Sequence, residues 1–283
     1  QERAQYEARH GFDPASSFQL GRRHFLRARA LAPDVSSLHD NAGTLEYLEA
    51  DELLKKGKDA SRPLGAALED FRRALELNPK NAFAWNNLGD TIRMKAEAEA
   101  ASGIDPGPAI DESLAAFRRC LAENPRFFYA NNNIADALRV RGTFERLTKK
   151  DPSPTFAEAE AHVQKALLVN PKYVSALDVW ARVEGERARY LLSKNLDPSV
   201  PIATARRALE AARLSGPDDI RLDATEAETA VLAAESGSRK HRGKGDPLAD
   251  AAATLERLRS LRPGEPRIAA AAEALEKIRV DRR

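Results

Sequence analysis

An all-α, right-handed solenoid of helical hairpins is the fold this sequence predicts, and three observations predict it. Prolines recur at Pro33, Pro79, Pro125, Pro171, Pro217 and Pro263, each 46 residues after the last. Aspartates keep the same interval at Asp13, Asp59, Asp105, Asp151 and Asp197, most of them in a short Asp-Pro segment. Large and small apolar residues stand at constant distances from each proline. A fixed period of this length marks a stack of supersecondary units. A chain with 42% hydrophobic and 31% charged residues, biased toward Ala, Leu, Glu and Arg, has the composition of long helices.

Each repeat carries two breaks, one at the Asp-Pro segment and one at the closing proline. Proline lacks the N–H that an interior helical residue donates and disfavours helix in the residue before it. Two helices per repeat follow. The second helix is located by its stripe: Phe25, Phe71, Phe117, Val163, Leu209 and Leu255 lie eight residues before the prolines. Ala28, Ala74, Cys120, Ala166, Ala212 and Leu258 lie five before, and Gly21, Ala67, Ser113, Ala159, Ala205 and Ala251 lie twelve before. Small residues at the last register permit close approach of a neighbouring helix. On the first helix the small position falls ten residues after the proline, at Gly43, Gly89, Ala135, Ala181 and Ala227. In the second copy that helix is predicted from about Ala82 to Ala101, before Gly103 and Pro106 turn the chain. Residues 1–12 read as the tail of a first helix whose beginning is missing. Near the other end, residues 236–246, from Ser236-Gly237 through Arg239, Lys240, Arg242 and Lys244, predict a flexible basic loop that shifts the next turn to Asp246-Pro247.

The stretch Trp85-Asn86-Asn87-Leu88-Gly89, followed by small, aromatic, alanine and proline positions in the next helix, resembles the tetratricopeptide repeat family. The resemblance covers nearly the whole chain and is best in the copies around Pro79 and Pro125. It departs from the family in length, because the usual repeat has ~34 residues. Elongated helices are the expected consequence. The resemblance implies a scaffold that binds a protein or peptide along the exposed faces of the first helices. The turn Gly103-Ile104-Asp105-Pro106 and the close Leu77-Asn78-Pro79 also look like the C-terminal repeat arrays of large bacterial serine/threonine protein kinases, particularly those of myxobacteria. That likeness implies a catalytic domain upstream and a recruiting role for this part. The start at Gln1 instead of Met and the truncated first helix agree with it, while the Gly-rich loop, His-Arg-Asp and Asp-Phe-Gly motifs are not in these 283 residues. The alternative is a free-standing adaptor or assembly factor.

Other functions find little support. With 45 basic and 43 acidic residues, a formal charge of +2 and 6% aromatics, no nucleic-acid partner is expected. No apolar run approaches the ~18 residues of a spanning helix, and no leader is visible. A lone cysteine, Cys120, excludes an internal disulfide and fits the cytoplasm. Since Cys120 occupies the small-residue register held elsewhere by alanine, it reads as a core residue. His10, His24, His39, His162 and His241 show no metal-binding spacing and read as surface or groove residues. No phosphate-cradling loop, dinucleotide fingerprint or nucleophile elbow occurs, so neither catalysis nor a cofactor is expected. The basic run from Arg239 to Lys244 reads as a solvated loop.

The candidate binding surface lies on the first helices. Asn41, Asn87 and Asn133 recur at the repeat interval, with Asn86 and Asn132 beside the last two. A side-chain amide both donates and accepts, so a row of them could grip the backbone of an extended peptide whatever its side chains. Inter-repeat hydrogen bonding is the other reading. Arg93 and Arg139 are likewise one repeat apart, with Asp90 and Asp136 three residues before each. They could pair with carboxylates or phosphates of a ligand, or be neutralised by those aspartates. Family members that capture acidic chaperone tails set lysines beside such asparagines. Asp40, Asn86 and Asn132 stand at the matching positions, which argues against that ligand.

Overall fold

The computed structural model of the chain describes residues 2–9, 12–216, 219, 221–240 and 246–280; Pro217 lies outside them. Among these residues the elements are helical throughout. The first seven are α1 (Glu2–Arg9), α2 (Ala15–Leu31), α3 (Ser36–Lys55), α4 (Ser61–Leu77), α5 (Ala82–Ala101), α6 (Gly107–Glu123) and α7 (Phe128–Leu147). The rest are α8 (Ser153–Val169), α9 (Val174–Ser193), α10 (Ser199–Ser215), α11 (Arg221–Lys240), α12 (Pro247–Leu261) and α13 (Pro266–Val280). Odd-numbered helices from α3 onward are the first of each pair, and α5 has the bounds that the spacing predicts.

Local chemistry explains the boundaries. The side chains of Asp59, Asp105, Asp151 and Asp197 accept from the backbone N–H two residues on, at 2.9, 2.8, 3.0 and 2.9 Å. Each bond closes an Asx turn that launches the second helix of its pair. In three of these four turns, at Pro106, Pro152 and Pro198, a proline fills the intervening position, where a missing N–H costs no helical bond. The same device opens the first helices: Asn78, Asn124 and Asn170 accept from the N–H of Lys80, Arg126 and Lys172 at 3.3, 3.2 and 3.2 Å. First helices end in a left-handed residue, Gly57, Gly103, Lys149 or Asn195, followed by a six-to-one backbone bond such as Ile104 N–H to Glu99 O at 3.0 Å.

Packing follows the predicted stripe. Phe71, Phe117, Val163, Ala67, Ser113, Ala159 and Ala205 are wholly buried. The small register on the first helices fits the large one on the second by size. A methyl group at Gly43 or Gly89 would stand 2.9 or 2.8 Å from the ring of Phe71 or Phe117. Where the second helix carries the slimmer Leu209 or Leu255, the facing cluster contains Ala181 or Ala227 instead. Cys120 is also wholly buried, and burial pushes its thiol up to about 12. That suits a core residue and not a nucleophile. The first copy is looser: Gly21, Phe25 and Ala28 are half-buried, since α1, which packs on α2, has only 8 residues.

The chain divides into two compact units, Gln1–Val140 and Arg141–Arg283, with the boundary inside α7. Each repeat in such a stack touches only its neighbours, so no single core binds the array together. One expectation needs correcting: α11 continues through Lys240, into the segment expected as a basic loop, and residues 241–245 of that segment lie outside the described residues. His39 is another difference. It is buried instead of exposed, with Nε2 2.8 Å from the carbonyl oxygen of Pro33 and Nδ1 3.3 Å from Asp70 Oδ1, at the edge of a cavity that Arg29 and Arg73 also line. Among the described residues no helix is long and apolar enough to cross a membrane.

Candidate functional site

In the first unit the predicted asparagines are brought together into one chain of hydrogen bonds. Asn132 Nδ2 donates to Asn133 Oδ1 at 3.1 Å, Asn133 Nδ2 to Asn86 Oδ1 at 3.0 Å, and Asn86 Nδ2 to Asn87 Oδ1 at 3.3 Å. The carboxylate of Asp40 in α3 accepts from Asn81 Nδ2 at 3.3 Å. The ladder joins α7 to α5. Burial pushes the Asp40 carboxyl upward, opposed by the donors Asn81 and Asn87. At the far end Asn132 Oδ1 is buried with no hydrogen-bond partner among the described residues, as is Asp40 Oδ1. Asn41 is exposed and makes none of these bonds.

The arginines lie one to two turns further along the same helices, in an ion network. Arg93 bonds Asp90 at 2.7 Å and Glu97 at 2.9 Å, and lies 3.2 Å from Asp136. Arg139 bonds Asp136 and Glu97, both at 2.6 Å. The hydroxyl of Tyr47 donates to Asp90 at 2.6 Å. Tyr47 holds in α3 the register that Arg93 and Arg139 hold in α5 and α7. Burial alone would favour neutral arginine, but the facing carboxylates, Asp90 first for Arg93 and Asp136 first for Arg139, push both guanidinium groups well above their ordinary value. Burial, Asp90 and Asp51 likewise hold Tyr47 protonated. Both arginines therefore have their charge balanced within the protein, and Arg139 is only 7% exposed.

Sequence reasoning identified the asparagines and arginines but missed Tyr47, Asn81 and Glu97. Asp40, in register with Asn86 and Asn132, bonds Asn81 instead of a ladder amide. Glu97 joins two helices through Arg139 at a separation of 42 residues, an offset that one-repeat periodicity does not reveal.

A buried carboxyl in the second unit has the opposite balance. Glu184 is 1% exposed and accepts from Arg187 Nη1 at 2.7 Å, while Glu160 shares the same guanidinium. Burial, reinforced by Glu160 and opposed by Arg187, pushes the Glu184 carboxyl up to about 7 from its ordinary 4.5. Between those values the folded chain holds a proton that the unfolded chain has lost, so this group's contribution to stability falls as pH rises from 4.5 and levels off above 7. At about 1.4 kcal/mol per unit the loss is on the order of 3 kcal/mol. Glu184→Gln is expected to flatten that part of the stability profile and to raise Tm above neutrality. Thermal melts of both proteins from pH 5 to 8 check it, and parallel profiles would refute it.

Among the described residues no group of three or more His, Cys, Asp or Glu side chains could hold a metal ion. The sequence model of the tetratricopeptide repeat matches residues 71–101, which run from Phe71 in α4 to the end of α5. The fold is similar to that of a thermophilic TPR protein from Thermus thermophilus, with a TM-score of 0.52 and 18% identity over 83% of this chain and 99% of that one. It is equally similar to pilF of Pseudomonas aeruginosa, with a TM-score of 0.52 and 14% identity over 95% of this chain and 93% of that one. No curated protein matches. Residues 71–101 thus match the sequence model of a tetratricopeptide repeat, and the fold of the described residues is an all-helical solenoid similar to that of the two TPR-type structures.

Proposed function

We infer that the chain is a non-catalytic scaffold holding a protein or peptide partner along the first helices of its repeats, with Asn41, Asn87 and Asn133 gripping the partner's backbone. The amide ladder carries this reading. Each amide has two N–H groups and two carbonyl lone pairs. Asn133 uses one donor and one acceptor in the ladder and Asn87 one acceptor, which leaves at least one donor and one acceptor on each of these half-buried side chains. An extended segment needs such a row to satisfy its own N–H and C=O groups, whatever its sequence. Asn86, Asn132, Arg93 and Arg139 form the support of this surface, held rigid by their own partners.

The turn sequences further support a place in a larger bacterial serine/threonine protein kinase of the cytoplasm, where the array would recruit partners for phosphorylation. Sequencing the coding DNA upstream of Gln1 tests that placement. An in-frame Gly-rich loop with His-Arg-Asp and Asp-Phe-Gly would support it. A start codon without them leaves a free-standing adaptor.

Binding itself is tested with an array of immobilised peptides of unrelated sequence. Asn41→Ala removes an amide outside the internal ladder, so it reports ligand contact alone and is expected to weaken capture at unchanged Tm. Asn87→Ala with Asn133→Ala should abolish capture with helicity retained, and with a stability loss of about 1 kcal/mol per internal bond removed. Capture unchanged in both variants would leave the amides a purely structural role.

A further inference from the structure

Exposed aromatic rings flank the amide ladder. Phe83 stands four residues before Asn87, and Tyr129 four before Asn133. Residues four apart share a helix face, so each ring lies one turn from a half-buried amide of the same helix. Phe83 is 61% exposed and Tyr129 44% exposed, whereas Phe127 is buried. The Phe127 ring meets Phe83 edge to face at 4.9 Å between centroids and Tyr129 at 5.5 Å, and Phe128 stacks on Tyr129 at 4.2 Å. Contact with the one buried ring thus holds the two exposed rings within about 10 Å of each other.

Packing of the solenoid does not call for rings at this position. One repeat before Phe83 it holds Ser37, which is exposed, and one repeat after Tyr129 it holds Ser175. Contiguous apolar rings left in water where serine suffices mark a surface that meets a partner. Their spacing selects the partner's conformation. Neighbouring helices pack about 8–10 Å apart, and a polyproline II segment returns to the same face every third residue, ~9 Å along its axis. A β-strand returns every second residue, at ~6.7 Å, and falls out of step with the rings. An α-helix has its backbone groups bonded internally and leaves the amides nothing to hold. The polyproline II backbone has no internal hydrogen bonds, so its own polar groups are free to bond Asn87 and Asn133.

We propose that Phe83 and Tyr129 form a docking site for a proline-rich segment in the polyproline II conformation. Prolines at positions i and i+3 of the segment pack on the two exposed rings while its backbone bonds Asn87 and Asn133. Aromatic surfaces suit such segments because the chain is already extended and loses little entropy on binding. The site rests on the reading of the chain as a peptide scaffold. It adds a residue preference and a spacing that the amides, which bond backbone alone, do not provide.

The test uses four fluorescein-labelled peptides on one Ala-Ser background, titrated onto the whole chain and read by anisotropy. They carry proline at i and i+3, proline at i and i+2, leucine at i and i+3, or no substitution. The first is expected to bind at least about fivefold more tightly than the other three, the effect of seating a second apolar ring. Phe83→Ser combined with Tyr129→Ser gives both positions the residue of Ser37 and Ser175, so it should keep the helicity and abolish the preference. Equal binding of the four peptides, a preference for the i and i+2 spacing, or a preference that survives the double serine variant would overturn the proposal. Equal binding that is lost in the Asn87 and Asn133 double variant would leave the scaffold reading standing while this site falls. No binding of any peptide would sink both.

Discussion

Replacing Arg139 by methionine is expected to destabilise the α5–α7 region by about 3–5 kcal/mol, the cost of taking a bonded cation from a buried carboxylate. Asp136 and Glu97 each bond this guanidinium at 2.6 Å, and Asp136 is itself buried. Arg93 reaches both acids, at 3.2 and 2.9 Å, so the loss should fall toward the lower end of that range. In a stack whose units unfold by neighbour interactions, the effect is read locally. Hydrogen exchange should accelerate in α5 and α7 and remain unchanged in α12 and α13. Unchanged protection in α5 and α7 would mean that the network contributes little. The second unit shows that the fold does not itself demand this cation: Gly185 holds the register there, and Arg182 stands where Asp136 would be.

The second large effect concerns size pairing. Gly89→Ala places a methyl group 2.8 Å from the ring of Phe117 and is expected to cost about 1–3 kcal/mol, because a wholly buried ring has nowhere to go. Phe117→Val leaves a void and is expected to cost roughly 2–4 kcal/mol. The double variant reproduces the combination that the same two registers carry one repeat later, Ala135 and Val163, both wholly buried. It should therefore cost less than the two single changes added together, by about 1 kcal/mol or more. Urea melts of the three variants complete the cycle. Simple additivity would show that the two positions do not sense each other.

Much of this architecture is legible in the residues. The helix limits follow from Asp-Pro and Asn-Pro turns, whose side chains bond the backbone two positions on and so act wherever they stand in the chain. The stripe of Phe71, Phe117 and Val163 is legible for the same reason: a helix has one period, and a face that packs in every repeat must carry it. The left-handed ends at Lys149 and Asn195 were less visible than Gly103, because neither residue type demands that conformation. The same applies to His39, buried against Asp70 of the next helix, which sequence spacing alone cannot distinguish from a surface histidine.

The sequence by itself determined where the helices begin and end, which face of each is buried, and that asparagines and arginines recur on the first helices. Those features arise from interactions within a turn or two of chain, or from a periodicity that repeats. Only the tertiary structure decided what the recurring polar groups bond to. Asn133 reaches Asn86 across 47 residues, Arg139 reaches Glu97 across 42, and Arg146 reaches Glu186 across 40. Such partners are chosen by the lateral offset between neighbouring first helices, which packing sets.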